Sequence, residues 1–187
     1  MRLAEYRAKF LVSRLTMAFP KYYVDSVLDI DPQWIKAQGK DCVLVDLDNT
    51  LLPRDTSTFS PEIMAWVQSL YDADLKVCLL SNNWHERVHT AADELNMKLV
   101  SKAVKPLPFA FFTAMKRVGG KRKNTIMVGD QLFTDVLGSA ILGMPCVMVK
   151  PLAKHDLKHT LMLRNVEKLI MQDRQSTPEA TTLRRGT

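Results

Sequence analysis

Few cysteines and no long apolar run occur in this sequence, and both shortages limit what the protein can be. The three cysteines, Cys42, Cys78 and Cys146, lie far apart, form no C-x-x-C pair and each fall in an apolar run. We therefore expect buried free thiols and a reducing compartment. No stretch approaches the roughly 18 consecutive apolar residues that indicate a transmembrane helix. The sequence thus predicts neither a membrane-spanning nor a disulfide-stapled protein.

The N-terminal segment also lacks the apolar core of a signal peptide, because Arg7, Lys9 and Arg14 interrupt it. We therefore expect a cytoplasmic protein rather than a secreted one. A basic, acid-poor N-terminus is also typical of organellar transit peptides, and the sequence leaves that alternative open.

Positive charge is concentrated at the two ends of the 187-residue chain, whose formal net charge is +6. Residues 1–21 contain five basic and one acidic residue, and residues 150–187 contain eight and four. Such ends favour an anionic partner, either a membrane surface or nucleic acid, while a solvated basic face is the alternative for each end. The 47% hydrophobic and 25% charged residues are those of an ordinary globular domain, which excludes a wholly disordered chain.

From Cys42 onward, short apolar runs alternate with segments of helical composition. The predicted strands are Cys42–Leu47, Lys76–Leu80, Lys98–Ser101, Thr125–Val128 and Cys146–Val149. The predicted helices are Pro61–Tyr71, Trp84–Asn96, Pro108–Val118 and Gln131–Leu142. This alternation predicts an α/β fold, a Rossmann-like parallel sheet with helices on both faces. Because ligands of such sheets bind at the carboxyl ends of the strands, a functional site is expected there.

Outside this unit we expect two further helices, Leu3–Phe19 and His155–Met171, and a polar tail, Gln172–Thr187. The first helix combines a broad apolar arc with arginines at its edge, so it suits either a membrane interface or packing on the sheet. We divide the chain into an N-terminal helix with its lead-in over residues 1–40, a main domain over residues 41–171, and the tail.

The strand that begins at Cys42 runs into two carboxylates, Asp46 and Asp48, in the sequence VLVDLDNTL. In an extended chain, residues i and i+2 point to the same face, and the loop that begins at Asn49 can turn Asp48 toward a ligand of Asp46. Two carboxylates at one strand end repel each other unless a cation lies between them, and oxygen ligands favour Mg²⁺. For this pair taken alone, a turn with two solvated acids is the alternative.

A second acidic pair follows the predicted strand Thr125–Val128, in the sequence VGDQLFTDV. Gly129 permits a close approach of the backbone, and Asp130 lies at a strand end as Asp46 does. Asp135 falls in the first turn of the next predicted helix, where a carboxylate that stabilises the helix dipole is the alternative. Two strand ends that carry carboxylates at one sheet edge are harder to explain as ordinary turns.

Polar and basic residues follow two more of the predicted strands. Ser81, Asn82 and Asn83 offer a hydroxyl and helix-start N–H groups to phosphate oxygens, with ordinary helix capping as the alternative. Lys105, which precedes a proline, and Lys102 both offer a positive charge near the same edge. An exposed lysine is the alternative for either of them.

In this order, Asp-x-Asp-x-Thr, Ser-Asn, Lys-Pro and Gly-Asp-x-x-x-Thr-Asp resemble the four motifs of the haloacid dehalogenase (HAD) superfamily of aspartate-nucleophile phosphatases. The resemblance spans Val43 to Val149. More closely, VDLDNTLLP, SNN, KPLP and VGDQLFTDV are similar to the YqeG-type branch of subfamily III A, which is related to mitochondrial phosphatidylglycerophosphate phosphatases. The resemblance implies that residues 41–171 form a HAD-like phosphatase domain.

The resemblance also implies the catalytic roles. Asp46 would be the nucleophile that forms an aspartyl-phosphate, and Asp48 would protonate the leaving alcohol and then activate water. Lys105 would neutralise the phosphoryl charge and orient Asp46. This chemistry is physically reasonable, because a carboxylate attacks an anionic phosphate only where positive charge cancels their repulsion.

Binding roles follow from the same resemblance. The residues implied for the phosphoryl group are Thr50, which also supports the loop, Ser81 and Asn82. The residues implied for the Mg²⁺ site are Asp46, Asp48 through its backbone carbonyl, Asp130 and, in support, Asp135.

HAD enzymes usually select substrates with a cap domain inserted after the first motif or between the second and third. Ser81 lies 33 positions after Asp48, and Lys105 lies 24 positions after Ser81, so neither gap has room for a cap. An uncovered site must draw binding energy from a larger surface. The candidates are a phospholipid head group, a nucleic-acid end and a phosphoprotein.

Among these substrates the basic ends of the chain favour a membrane-bound one. Phosphatidylglycerophosphate is the best single candidate, which implies peripheral association with the inner face of a membrane. The alternative is a soluble phosphatase that acts on a nucleic-acid end, a phosphoprotein or a small phosphate. Nucleic acid is less favoured, because the basic run Lys121–Lys123 has no aromatic residue beside it. A non-catalytic HAD-like binding protein would be expected to lack the essential acids, and all of them are present.

Overall fold

The computed structural model describes residues 20–153, and within them six strands form one parallel sheet. The strands are β1 (Tyr22–Val24), β2 (Cys42–Val45), β3 (Lys76–Leu80), β4 (Lys98–Val100), β5 (Thr125–Gly129) and β6 (Cys146–Val149). Their order across the sheet is β1-β6-β5-β2-β3-β4, and every neighbouring pair is parallel. The predicted α/β fold with a parallel sheet is therefore confirmed.

Helices cover both faces of the sheet, as the sequence predicted. They are α1 (Pro32–Ala37), α2 (Pro61–Asp72), α3 (Glu86–Glu94), α4 (Pro108–Arg117) and α5 (Leu137–Ile141). The apolar faces of α1, α2 and α3 belong to one hydrophobic cluster, and that of α4 belongs to a second. Along β2, Val43 and Val45 enter the first cluster while Cys42 and Leu44 enter the second, as the two-residue period of a strand requires.

The strand β1 was not predicted from the sequence. Its three residues pair with Val147, Met148 and Val149 of β6, and the N–H of Lys150 donates to the Val24 carbonyl at 3.1 Å. Part of the lead-in assigned to residues 1–40 is thus an edge strand of the sheet. So short a strand shows too little alternation of apolar and polar residues to be recognised in a sequence.

The predicted helix Gln131–Leu142 begins differently from the expectation. A π-helical turn over Leu132–Val136 precedes α5. The carbonyl of Gln131 accepts from the N–H groups of Asp135 at 3.0 Å and Val136 at 3.3 Å, so the turn is one residue wider than an α-helical one. Such turns are rare in proteins, and those that occur are often found at functional sites. This one carries Asp135, a predicted site residue.

All three cysteines are free thiols buried inside the protein, as predicted. Burial also raises the pKa of the Cys78 thiol to about 12, so this sulfur stays protonated and unreactive near neutral pH.

None of the helices within residues 20–153 combines the length and the apolar character that crossing a bilayer requires. The predicted helices Leu3–Phe19 and His155–Met171 and the tail Gln172–Thr187 lie outside the described residues.

Candidate active site

The carboxyl ends of three adjacent strands bring predicted site residues to one edge of the sheet. Asp46 follows β2, Ser81 follows β3 and Asp130 follows β5, and β2 lies between the other two strands. All three residues are buried. Because parallel strands end at a common edge, residues far apart in the sequence meet here.

The loop after β2 turns back sharply beneath the first acidic pair. The Leu47 carbonyl accepts from the N–H groups of residues 50–52 at 3.0–3.2 Å. Asn49 has a φ of 62°, in the left-handed region that asparagine tolerates better than most residues. The hydroxyl of Thr50 donates to Asp46 Oδ2 at 3.4 Å. This contact fits the loop-supporting role that the resemblance implied for Thr50.

Lys105 supplies a buried positive charge between two of the acids. Its Nζ forms ion pairs with Asp46 Oδ1 and, at 2.7 Å, with Asp135 Oδ1. Burial lowers the pKa of Lys105, but attraction to Asp135 and Asp46 outweighs burial and raises it above the ordinary value. The lysine is therefore charged. Lys102, the alternative from the sequence, is exposed instead, with its Nζ 5.7 Å from the centre of the Trp84 ring.

Asn82 holds the backbone of Lys105 in place. Its Nδ2 donates to the Lys105 carbonyl at 3.3 Å, and its Oδ1 accepts from the Lys105 N–H at 2.6 Å. The side chain of Asn82 therefore positions the lysine, and phosphate binding by this residue stays a prediction. The hydroxyl oxygen of Ser81 accepts from the N–H of Asn83 at 3.1 Å, which orients it and leaves its own O–H to donate to a phosphoryl oxygen.

Asp135 comes close to the end of β5 because residue 129 has no side chain. A Cβ at Gly129 would overlap the carboxylate of Asp135. That carboxylate accepts from the N–H of Gln131 at 3.2 Å, and the Asp135 carbonyl accepts from the hydroxyl of Ser139 at 2.6 Å. The close approach of Asp135 therefore requires glycine at position 129, as the sequence indicated. The two hydrogen bonds of Asp135 hold the π-helical turn in place.

Three buried carboxylates form a cluster of the size that a metal ion needs. One oxygen each of Asp46, Asp130 and Asp135 lies within 4.8 Å of the others. Burial raises the pKa of Asp46 to about 7; Lys105 opposes this rise, and repulsion from Asp135 and Asp48 adds to it. One lysine does not balance three carboxylates, and a hard divalent cation such as Mg²⁺ would. The residues present therefore fit the predicted ion.

The carboxylate of Asp48 has a different partner, which sequence reasoning missed. Arg87 Nη1, on α3, lies 2.6 Å from Asp48 Oδ1. The same guanidinium donates to the carbonyl of Pro53 at 2.6 Å and to that of Thr56 at 3.0 Å. Asp48 thus stands outside the three-carboxylate cluster of residues 20–153. No motif includes the arginine, and its position on a predicted helix was the only signal available.

Within residues 20–153 no cap domain is inserted over the site, as the spacing of the motifs predicted. Between Asp48 and Ser81 the chain forms only a loop, α2 and β3, and between Ser81 and Lys105 it forms only α3 and β4. Both intervals lie wholly within the described residues, and neither contains an inserted cap domain.

Comparisons with known proteins agree with this geometry. A family model for haloacid dehalogenase-like hydrolases matches residues 4–143. The protein named "Probable phosphatase YqeG" from Bacillus subtilis (strain 168) is 32% identical over 152 residues, which is 81% of this chain and 88% of that relative.

Two solved phosphatase structures are similar at low sequence identity. The cobalt-bound deoxy-D-mannose-octulosonate 8-phosphate phosphatase from Haemophilus influenzae is 16% identical with a TM-score of 0.49, over 73% of this chain and 90% of that one. The 3-deoxy-D-manno-octulosonate 8-phosphate phosphatase from Moraxella catarrhalis, in complex with magnesium, phosphate and KDO, is 15% identical with a TM-score of 0.47, over 74% and 90%. With a family model that spans most of its length, this chain belongs to the haloacid dehalogenase-like hydrolases and is a phosphatase of that family.

Proposed function

We propose that the protein is a Mg²⁺-dependent phosphate-monoester hydrolase that works through an aspartyl-phosphate on Asp46. The observation that carries the proposal is the ion pair between buried Asp46 and buried Lys105, inside a cluster that also contains Asp130 and Asp135. A buried carboxylate next to a fixed positive charge is suited to attack an anionic phosphate. Mg²⁺, when held by these three aspartates and the Asp48 carbonyl, would supply further neutralisation of the phosphoryl charge.

In the first step, a carboxylate oxygen of Asp46 attacks phosphorus, and the bond from phosphorus to the ester oxygen breaks. Asp48, protonated on Oδ2 in the substrate complex while Oδ1 keeps its contact with Arg87, gives that proton to the ester oxygen, so the alcohol leaves in neutral form. Ser81 and Lys105 contact the phosphoryl oxygens and stabilise the negative charge on them in the transition state, because these donors are already in place. The products of this step are the alcohol and an acyl phosphate on Asp46.

In the second step, water attacks the same phosphorus and the acyl phosphate bond to Asp46 breaks. Asp48, now a carboxylate, takes the proton of the attacking water. Inorganic phosphate leaves, and both aspartates return to their starting forms. Dividing one difficult displacement into two steps is the advantage of a covalent intermediate.

We further propose that the substrate is phosphatidylglycerophosphate, presented at the inner face of a membrane with the enzyme bound peripherally. The lack of an inserted cap within residues 20–153 supports this choice, because a lipid head group projects from a surface and needs no cap to enclose it. The basic ends of the chain and the resemblance to phosphatidylglycerophosphate phosphatases point the same way.

A phosphate-release screen with purified protein and Mg²⁺ tests the proposal. The panel contains phosphatidylglycerophosphate in detergent, a 3′-phosphorylated oligonucleotide, a phosphopeptide and a sugar phosphate. We expect the phospholipid to have the highest kcat/KM by at least about tenfold, which corresponds to 1.4 kcal/mol of selective transition-state binding. A higher value for any soluble substrate would overturn the substrate assignment, and no release from any substrate would overturn the activity.

A further inference from the structure

Five large apolar side chains are exposed together beside the site. We name them the apolar rim: Trp84, Val104, Leu107, Phe109 and Phe112. Single exposed hydrophobic residues are common on protein surfaces, whereas a group of them marks an interaction surface. Trp84 comes from the loop after β3, which also carries Ser81, Val104 and Leu107 come from the loop that leads into α4, which also carries Lys105, and Phe109 and Phe112 come from α4 itself.

Backbone hydrogen bonds join the two loops into one surface. The N–H of Lys102 donates to the Asn83 carbonyl at 3.1 Å, and the N–H of Ala103 donates to the Ser81 carbonyl at 3.0 Å. The ammonium group of Lys102 also lies 5.7 Å from the centre of the Trp84 ring. The rim is thus built on the same backbone that positions the phosphate-binding groups.

Val104 is held on this exposed surface in an unfavourable backbone conformation. Its φ is 52°, in the left-handed region, and its side chain is 54% exposed. Branched residues rarely adopt this conformation, and strained backbone of this kind is concentrated at functional sites. Core packing cannot be the reason, because the isopropyl group lies largely in solvent. Val104 immediately precedes Lys105, so the strain is adjacent to the catalytic charge.

Positive charge predominates around the rim, and the nearest acid in the sequence is Glu86, two residues after Trp84. Between Glu94 and Asp130 the sequence contains eight basic residues and no acidic residue; four of the eight lie at the starts of β4 and β5, at the other end of the strands, and Lys102, Lys105, Lys116 and Arg117 remain. Of these, Lys105 is buried, Lys102 lies at Trp84, and Lys116 lies one helical turn beyond Phe112 on α4. Apolar groups flanked mainly by cations match the interface of an anionic bilayer, whereas in two facing copies these cations would repel each other.

We infer that the apolar rim inserts into the interface of an anionic bilayer and so brings a lipid phosphate to Asp46. The inference rests on the proposed function for its substrate, and it concerns residues other than those of the basic N-terminal segment. Tryptophan and phenylalanine enter the head-group region while nearby lysines contact lipid phosphates. Docking by the rim would place the open edge of the sheet against the membrane.

Two forms of one substrate distinguish binding of the rim to a membrane from catalysis at Asp46. Dihexanoyl phosphatidylglycerophosphate below its micelle concentration needs no surface, and the long-chain lipid in vesicles of 70% phosphatidylcholine and 30% phosphatidylglycerol does. The measured quantity is the ratio of the vesicle rate to the monomer rate. We compare Leu107→Ser with Leu28→Ser, because the two leucines are 48% and 46% exposed and Leu28 follows the edge strand β1, which lies four strands away from β3 across the sheet.

We expect Leu107→Ser to lower this ratio by about fivefold or more, since each apolar side chain withdrawn from water contributes measurably to interfacial binding. Leu28→Ser should keep the wild-type ratio. An unchanged ratio in Leu107→Ser, or an equal fall in both variants, would overturn the inference. If wild-type protein hydrolyses neither lipid form, the proposed substrate fails, and vesicle binding then tests the rim by itself.

Vesicle flotation without substrate gives that second measurement. Lys102→Gln and Leu107→Ser should each lower binding to the anionic vesicles, whereas Lys121→Gln, which changes a lysine at the other end of the strands, should not. Binding should weaken as salt rises and should be lost with pure phosphatidylcholine. Binding that ignores lipid charge would overturn the inference. So would a rim-dependent dimer in light scattering, because the rim would then face a second copy of the chain.

Discussion

Arg87 holds Asp48 by an ion pair of 2.6 Å and, with its remaining guanidinium nitrogens, holds the carbonyls of Pro53 and Thr56. All three partners belong to the loop that follows the nucleophile. One side chain from α3 therefore sets both the direction of the carboxylate and the path of the loop. An arginine suits this task, because its planar fork offers several donors in fixed directions.

Arg87→Gln should lower kcat for an alkyl phosphate by about 10- to 100-fold, because a misdirected Asp48 transfers its proton poorly. The loss should be smaller for p-nitrophenyl phosphate, whose leaving group needs no proton. Arg87→Lys should recover part of the activity. Steady-state kcat and KM for both substrates provide the measurement.

Arg122→Gln is the matched control for this prediction. Arg122 is exposed but likewise donates to a carbonyl, that of Leu142 at 2.6 Å, in a partly buried hydrogen bond, and it precedes β5 at the other end of the strands. The Arg122→Gln substitution should affect stability without changing the preference between the two leaving groups. Equal losses for both substrates in Arg87→Gln would mean that the arginine acts on folding or binding and not through Asp48.

Asp46→Asn should leave no measurable turnover while the protein stays folded, because the amide keeps the shape of the side chain and removes the attacking charge. Phosphate release and circular dichroism are measured on the same sample. Chelation of divalent ions should also stop the wild-type reaction. Full activity in Asp46→Asn, or undiminished wild-type activity in excess chelator, would contradict the aspartyl-phosphate mechanism.

Lys105→Met should reduce both turnover and stability. The methionine keeps the length of the side chain but leaves Asp46 and Asp135 buried without their shared cation. Breaking a buried ion pair in this way costs about 3–5 kcal/mol in the free energy of unfolding. Denaturant titration without divalent ions measures this cost. Lys98→Met, which changes an exposed lysine at the start of β4, is the control and should change neither quantity.

The five strands from β2 onward and the motif residues at their ends could be predicted from the sequence, because short apolar runs and strand-end carboxylates are local signals. Three features could not. β1 is short, and its pairing with β6 joins segments more than 120 residues apart in the chain. The π-helical turn depends on how Asp135 packs against Gly129. Arg87 acquires its partner only when α3 is placed beside the loop after β2.

Asn82 shows a further limit of motif reasoning. The Ser-Asn motif indicated that both residues belong to the phosphate site, and the resemblance assigned them one role. In the structure, the Asn82 side chain bonds to the backbone of Lys105 on both sides. A motif identifies which residues gather at a site, whereas the partner of each side chain depends on the tertiary contacts of the loops.

Gly129→Ala should weaken Mg²⁺ binding, because the added Cβ overlaps the carboxylate of Asp135 and pushes it away from Asp46 and Asp130. A ligand that binds only the folded state stabilises it by about 2.7 kcal/mol at 100 times its dissociation constant. Wild-type protein should therefore unfold at a higher temperature when Mg²⁺ is added. In Gly129→Ala that increase should be much smaller, and calorimetry with and without Mg²⁺ measures it.

Gly120→Ala is the control that distinguishes weaker Mg²⁺ binding from the general effect of steric overlap in the interior. A Cβ at Gly120 would overlap the side chain of Cys42 at the amino end of β2, away from the carboxylates. Both substitutions should lower the unfolding temperature without Mg²⁺, since both add volume to a filled interior. Only Gly129→Ala should lose the Mg²⁺-dependent increase. If the two variants respond equally to Mg²⁺, then Asp135 does not belong to the metal site, and the ion is held at this sheet edge without it.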